Sequence, residues 1–316
     1  MPHRVSALLS IVCTAIVSKF IPKGMGWIPD LPDPRDFTYR SSAVLPLLAR
    51  LKRSQCNTLP DEVDLRGDEE AEYFTAVEDQ GPLNSSAAFA VLSLIEYFER
   101  RVNGQTFELS KLFLYKVTRN LRQKRPANSM GSHSADDTGA DLRTTLKALT
   151  LVGAPPEEIA PYEIDRFDQE PSAFLYAVAR PLTDVRYFRL DDSTQDAAGL
   201  WELSTSFLAA GFPFALGFPV PTSLNSDPHV PYRSGRDRFR GGQAVVAVGY
   251  RKGHFGRGQH ALLIRSSWGS QWGDHGNGWL PITYLRNRVA RDCWTLISPR
   301  WLELGELHQP TVIAVS

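Results

Sequence analysis

The hydrophobic pattern of the chain changes near residue 211, and this change constrains the fold more than any other feature. Before it, apolar residues recur at helical spacing and predict helices at about 85–101, 109–121, 141–151 and 195–210. After it, short apolar runs between Gly, Pro and Trp predict strands at 212–218, 244–250, 260–265, 278–282 and 293–298. Helices first and strands second favour an α+β fold in two lobes.

Composition argues against several classes of protein. The 316 residues include 35 Lys and Arg against 35 Asp and Glu, so no global field attracts nucleic acid or an anionic membrane. The cysteines, Cys13, Cys56 and Cys293, are too few and too scattered for a disulfide framework or a cysteine-based zinc site. No two histidines have the HxxxH spacing of a metallopeptidase. The sequence therefore predicts no cofactor, no metal site and no nucleic-acid partner.

The N-terminal part of the chain divides into two segments. Residues 1–20 contain an apolar run at 5–17, which is too short for a helix that spans a membrane. This run is either a weak signal peptide or a segment that packs on the body, and the lack of paired cysteines favours a cytoplasmic protein. Residues 21–58 follow, and the prolines within 21–40 predict an extended arm that lies on another part of the structure.

The predicted helix at 85–101 is apolar almost all the way round, which is typical of a buried helix. Asn84 and Ser85 precede it and are suitable N-cap residues. Asn103 and Gly104 follow it and are a good C-terminal stop.

Segments in four places resemble the papain-like cysteine peptidases, in a form similar to the bacterial members. They are VDLR at 63–66, VEDQGPLNSSAAFAVLSLIE at 77–96, GGQAVVAVGY at 241–250 and IRSSWGSQWGDHGNGWLP at 264–281. The resemblance implies a papain-like domain at 59–300 with a cleft between its lobes. Residues 59–180 are expected to form the helical left lobe, residues 181–300 an antiparallel β-sheet or barrel as the right lobe, and residues 301–316 a tail.

The resemblance also implies where the reacting groups of the family would lie. The position of the nucleophilic Cys is Ser86, that of the His is Gln243 and that of the Asn is Ser266. Gln80 matches the glutamine that donates to the oxyanion. The residues expected to line the cleft are Asn84, Ser85, Trp268 and Trp272.

These substitutions remove the chemistry of a thiol peptidase, which needs a thiolate and an imidazole that activates it. A helix dipole contributes at most about 2 kcal/mol, or about 1.5 pKa units, which activates a thiol but not an alcohol. The amide of Gln243 does not titrate and cannot take a proton from Ser86. Ser86 is therefore interpreted as a serine that caps the start of the helix.

Three functions follow as alternatives. The first is a catalytically inactive homologue, a pseudopeptidase, that binds a protein or an extended peptide in the cleft. The second is a divergent hydrolase that uses Ser86 or a loop histidine. The third is a structural subunit that assembles through the N-terminal arm and the tail. The histidines considered as a substitute base are His133, His229, His254, His260 and His275.

Overall fold

The computed structural model describes residues 24–31, 33–53, 58–67, 72–104, 106–123, 136–192, 196–232, 235–302 and 307–311. Residues 1–20, Cys13, Cys56 and His133 lie outside the described residues, so the expectations that fall on them stay predictions.

The described helices and strands follow the predicted order. The helices are α1 (Leu45–Leu48), α2 (Ser86–Asn103), α3 (Lys111–Gln123), α4 (Leu142–Val152), α5 (Ala173–Val178), α6 (Ala197–Ala209) and α7 (Thr283–Arg286). The strands are β1 (Lys52–Arg53), β2 (Glu62–Asp64), β3 (Arg186–Arg189), β4 (Phe214–Pro221), β5 (Phe239–Arg251), β6 (Ala261–Arg265), β7 (Asn277–Pro281), β8 (Arg291–Ile297) and β9 (His308–Gln309). The predicted helices correspond to α2, α3, α4 and α6, and the predicted strands to β4 through β8.

The main sheet is open rather than a closed barrel. Its strand order is β3-β8-β4-β5-β6-β7, and β2 pairs with β5 beside this path. Every pairing in this sheet is antiparallel. The helix-then-strand prediction of an α+β fold is therefore confirmed, and the alternative of a closed barrel is wrong.

Helix α2 is buried as its apolar sequence predicts, because it packs against β5 and against α3 and α4. It ends at Gly104, whose φ of 65° is the left-handed conformation that glycine adopts without strain. At the other end, Ser85 occupies the N-cap position, but its side chain makes no capping hydrogen bond. The predicted N-cap position is therefore confirmed at Ser85, although no side-chain hydrogen bond caps the helix.

Short elements were not predicted. Strand β3 has the sequence RYFR and strand β2 the sequence EVD, and both carry more charge than a typical strand. Helix α1 lies within the segment expected to be an extended arm, and its four residues are too few to show a helical period. These elements form because their backbones pair or pack with distant parts of the chain.

The described part of the C-terminal segment packs on the helical region. Trp301 is fully buried and stacks on Phe98 of α2 at 4.6 Å between ring centroids. Strand β9 pairs in parallel with β1, so the C-terminal segment and the residues that follow α1 form a small second sheet. Among the described residues, no helix is both long enough and apolar enough to cross a bilayer.

Candidate cleft site

Ser86 is the first residue of α2 and is completely buried. Its hydroxyl oxygen accepts the backbone N–H of Ala244 on β5 at 3.1 Å. Its own backbone N–H donates to the carbonyl oxygen of Met25 at 3.3 Å. The hydroxyl therefore joins the helix to the sheet, and the interpretation of Ser86 as a cap of its own helix is wrong. Within the described part of the chain, no His, Asp or Glu side chain forms a hydrogen bond with Ser86.

Gln243 lies on β5 and is also completely buried. Its Nε2 donates to Oε1 of Gln80 at 2.9 Å and to Oγ of Ser267 at 3.2 Å. The Ser267 hydroxyl in turn donates to the same Gln80 oxygen at 2.6 Å. These contacts tie the three side chains together on one side of the α2 N-terminus. We call Gln80, Gln243 and Ser267 the amide network.

The orientation of both amides in this network follows from their neighbours. Nε2 of Gln80 faces the carbonyl oxygens of Met25 at 3.0 Å and Leu83 at 2.6 Å, and a carbonyl only accepts. Oε1 of Gln80 must therefore face Gln243, which must present its nitrogen. The Oε1 atom of Gln243 points away and has no hydrogen-bond partner among the described residues.

Ser266 stands apart from the amide network. Its backbone N–H donates to the carbonyl of Gly276 at 3.0 Å, and its hydroxyl is buried without a partner among the described residues. The structure thus brings Gln80 and Gln243 together near Ser86, but it does not join Ser266 to them by a hydrogen bond. Its neighbour Ser267 takes part instead, and no signal in the sequence distinguished these adjacent serines.

The N-terminal arm occupies the site. The Met25 carbonyl accepts both the Ser86 N–H and the side-chain amide of Gln80, the residue expected to donate to an oxyanion. On either side, the Met25 N–H donates to Oδ1 of Asn84 at 3.1 Å, and Nε1 of Trp268 donates to the Gly24 carbonyl at 3.2 Å. Two of the residues expected to line the cleft therefore contact this chain's own backbone.

The arm is bonded to both walls as it continues. The N–H of Trp27 donates to the carbonyl of Gly242 at 2.9 Å, beside Gln243 on β5. On the opposite wall, Ala140 donates to the carbonyl of Gly26 at 2.8 Å and accepts from the N–H of Ile28 at 3.1 Å. Trp27 and Ala140 form a parallel bridge. The arm thus lies between the helical region and the sheet with backbone hydrogen bonds to both, which resembles the way sheet-binding peptides are held.

Glycines make this close approach possible. A Cβ on Gly26 would lie 1.9 Å from the carbonyl oxygen of Asn84, and the φ of Gly26 is +106°. A Cβ on Gly217 would lie 1.8 Å from the indole of Trp27, and one on Gly242 would lie 2.6 Å from the same ring. The buried Trp27 ring therefore lies in space that side chains at positions 217 and 242 would fill.

The two other residues expected to line the cleft have packing roles. Trp272 is fully buried, packs edge-on against Trp268 at 4.9 Å and donates from Nε1 to the Asn225 carbonyl at 3.1 Å. Ser85 shares a hydrogen bond of 2.7 Å with the hydroxyl of Tyr162. Both residues are buried, so neither offers its side chain to an occupant of the cleft.

Three of the described histidines make contacts away from Ser86. His254 stacks on Trp279 at 4.1 Å, and His229 pairs through Nδ1 with Asp227 at 2.8 Å. Nδ1 of His260 accepts the N–H of Gly253 at 2.9 Å, and burial lowers the pKa of both His254 and His260. None of the described histidines is hydrogen-bonded to Ser86. In the same part of the chain, no three His, Cys, Asp or Glu residues form a group that could hold a metal ion.

A second contact between arm and body was not predicted. Beyond the cleft, the arm contributes two carboxylates to a buried group of charges that we call the aspartate cluster. Its members are Asp30, Asp36, Arg143, Arg189, Asp191 and Asp292. No signal in the sequence could have found it, because Asp30 and Asp292 are 262 residues apart.

Comparison with known proteins gives a consistent result. No family model matches the chain. A peptidase C1-like protein of Acanthamoeba polyphaga mimivirus is 29% identical over 290 residues, which cover 87% of each protein. Xylellain, a cysteine protease from Xylella fastidiosa, superposes with a TM-score of 0.66 at 28% identity and covers 90% of this chain and 99% of that one.

More distant structures agree in fold. Procathepsin B S9 from Trypanosoma congolense has a TM-score of 0.60 at 16% identity, over 88% of this chain and 86% of that one. Digestive procathepsin L 3 from the Tenebrio molitor larval midgut has a TM-score of 0.56 at 20% identity, over 79% and 76%. The chain has the α+β, two-lobe fold of the papain-like cysteine proteases. In sequence, the chain is similar to a peptidase C1-like protein and to a cysteine protease, at 29% and 28% identity.

Proposed function

We propose that the chain is a catalytically inactive papain-like peptidase homologue, a pseudopeptidase whose cleft binds an extended peptide segment without cutting it. The observation that carries this proposal is the amide network. Gln243, at the position where the family has its histidine, is fixed by hydrogen bonds to Gln80 and Ser267. A side chain that cannot titrate takes the place of the general base.

The state of Ser86 supports the same conclusion. A serine hydroxyl attacks a carbonyl only when an adjacent base takes its proton. The Ser86 oxygen instead accepts the Ala244 N–H, and its side chain is fully buried. Because an oxygen that accepts a hydrogen bond is a weaker nucleophile than a free one, this contact opposes the attack as well.

The occupied cleft supports a binding role. The carbonyl of Met25 is held by the Ser86 N–H and the Gln80 amide, and the following residues bond to both walls. These are contacts to backbone atoms, which any extended peptide offers. We propose that the cleft holds the arm in the isolated protein and that a partner with a similar extended segment competes for it.

Hydrolysis assays test the inactivity. We expect no turnover of an unfolded protein or a fluorogenic peptide library by the wild type, and no change in the Ser86→Ala variant. This variant leaves the buried N–H of Ala244 unpaired and should lower the free energy of unfolding by about 1–3 kcal/mol. Turnover that disappears in Ser86→Ala would establish the alternative, a divergent hydrolase that uses this serine.

Binding of a labelled peptide tests the other half of the proposal. The probe is fluorescein-labelled GMGWIPD, the sequence of residues 24–30, and the protein is the full chain with Trp27→Ala, which weakens the resident arm. We expect saturable binding by anisotropy. The matched control is Phe37→Ala, because this arm side chain is 42% exposed and its own arm should still exclude the peptide. Equal, non-saturable signals from both variants and from a scrambled peptide would contradict a binding cleft.

A further inference from the structure

The aspartate cluster holds more negative than positive charge in a buried place. Asp30 and Asp36 come from the arm, Arg143 from α4 and Arg189 from β3, while Asp191 and Asp292 belong to the body. The side chain of Asp30 is 0% exposed and that of Asp292 is 1% exposed. Four carboxylates therefore share two guanidinium groups away from water, and full ionisation would leave two buried negative charges without partners.

The hydrogen bonds show which carboxylate lacks a guanidinium donor. Arg143 donates to both oxygens of Asp36, at 2.7 and 2.6 Å. Arg189 donates to Asp36 at 3.2 Å, to Asp191 at 3.2 and 3.3 Å, and to Asp292 at 3.1 Å. The closest guanidinium nitrogen to Asp30 belongs to Arg189 and is 3.8 Å away. Asp30 alone lacks a charged hydrogen-bond donor.

Asp30 is surrounded by neutral donors and by other acids. Its Oδ2 accepts Nε1 of Trp294 at 2.8 Å, and its Oδ1 accepts the N–H of Arg143 at 3.4 Å. Its own N–H donates to Oδ2 of Asp292 at 2.9 Å. The charged and titratable groups that face it from α4, β3, β8 and the adjoining loops are Asp36, Asp141, Arg143, Tyr187, Arg189, Asp191 and Asp292. Asp141 adds a negative charge, which is itself paired with Arg122 at 3.3 Å.

We propose that the arm takes up a proton at Asp30 when it docks, so that the cleft is covered most firmly at low pH and is uncovered as the pH rises. As a means of opening the cleft to a partner, this inference rests on the proposed function. The protonated carboxyl needs no cation, and it reduces the excess of negative charge in the cluster from two to one. The arm released into water would hold Asp30 in its ionised form.

The direction of the pH dependence follows from the docked and released states. Burial, with the nearby Asp292, raises the pKa of Asp30 from 3.8 to about 8, and burial raises the pKa of Asp292 to about 6. A released Asp30 returns to the ordinary value. The docked state therefore binds more protons between pH 4 and 8, so docking is strongest below this window and weakens through it. One proton corresponds to about a tenfold change per pH unit.

Hydrogen exchange of the full chain measures this linkage directly. The reporter amides are those of Trp27, Ile28 and Asp30, which donate across to the body. After correction for the chemical exchange rate, we expect their protection factors to fall about tenfold per unit between pH 5 and 7.5. Amides in the middle of α2 serve as an internal reference and should keep their protection factors.

The Asp30→Asn variant tests whether Asp30, and not another titrating group, causes the pH dependence of arm protection. Asp30→Asn imitates the neutral carboxyl, so its arm amides should stay protected at pH 8 and lose the slope. The matched control is Asp33→Asn, because Asp33 lies on the same arm and pairs with the exposed Arg35 outside the cluster. This control should keep the wild-type slope.

Flat protection factors in the wild type, or an unchanged slope in Asp30→Asn, would overturn the inference. If Asp30→Asn does not fold, the wild-type slope alone decides. The result is independent of the proposed function: turnover lost in Ser86→Ala would overturn that function and leave the pH-linked arm intact, whereas flat protection would remove only the linkage.

Discussion

The arm touches the body at two places that differ in their chemistry. In the cleft, residues 24–28 are held by neutral hydrogen bonds between backbone carbonyls, backbone amides and the side chains of Asn84, Gln80 and Trp268. In the aspartate cluster, Asp30 and Asp36 are held among buried charges. The comparison suggests two separate controls. The shape of the backbone determines whether residues 24–28 fit the cleft, whereas we expect the pH to determine how firmly Asp30 is held in the aspartate cluster.

The groups that hold the arm in the cleft are neutral, but Trp27 also donates from Nε1 to Oδ2 of Asp292 at 3.1 Å, which joins this contact to the aspartate cluster. Any pH dependence of the cleft contact should therefore come from the cluster to which it is joined and not from the groups in the cleft. The charged contact must keep a proton or lose stability, because buried carboxylates without partners are costly. Changes at the two places should accordingly respond differently to pH, and the following variants test this contrast.

The largest effect is expected from Arg189→Met. Arg189 bonds to three carboxylates of the cluster, and its removal leaves Asp191 and Asp292 without a cationic donor, while Asp36 keeps Arg143. Loss of one partner of a buried ion pair lowers the free energy of unfolding by about 3–5 kcal/mol, and here the loss should be greater at pH 8 than at pH 5. Denaturant unfolding at both pH values measures it. Arg66→Met is the control, since the Arg66–Asp64 pair is 37% exposed on both sides and should contribute about 0–1 kcal/mol.

A smaller effect, without pH dependence, is expected from Gly26→Ala. The added methyl group would meet the carbonyl of Asn84, and the positive φ adds about 1–2 kcal/mol of strain. Residues 24–28 should leave the cleft, with loss of exchange protection at Trp27 and Ile28. Gly104 also has a positive φ, of +65°, but the methyl group of Gly104→Ala meets nothing within 4 Å, so the arm should stay in place. Unchanged protection in Gly26→Ala would show that the cleft contact is looser than its geometry indicates.

The smallest effect is expected from Ser267→Ala. It removes one of two hydrogen bonds that fix the Gln80 oxygen, while Gln243 retains the other. The free energy of unfolding should fall by about 1 kcal/mol at any pH. Ser266→Ala, at a hydroxyl with no described partner, should change it less. A larger loss in Ser266→Ala than in Ser267→Ala would reverse the roles assigned to these neighbours.

Local patterns predicted much of the fold. The period of apolar residues was enough for α2, α3, α4, α6 and the strands from β4 to β8, because these elements have one strongly apolar face or are buried throughout. The pattern failed at β3, where Arg186 and Arg189 flank two aromatic residues. Arg189 on this strand contacts aspartates in other parts of the fold, and no local sequence pattern indicates such contacts.

The candidate site was predictable in part. The resemblance drew attention to Gln80, Ser86 and Gln243, and the structure joins Gln80 and Gln243 through a hydrogen bond. That these residues occupy the positions of the family's reacting groups is still a prediction. The arm in the cleft could not be predicted, since a carbonyl such as that of Met25 carries no sequence signature. Nor could the buried ion pairs, which depend on folding of the complete chain.

The contact between Asp30 and the strand that carries Asp292 has a consequence for the order of events during synthesis. The arm leaves the ribosome early, but Asp292 and Trp294, to which it bonds, emerge about 262 residues later. At roughly 5–20 residues per second, this interval lasts tens of seconds. During this interval the nascent chain lacks the strand that completes the aspartate cluster. The arm therefore cannot dock at the cluster until Asp292 and Trp294 have been synthesised.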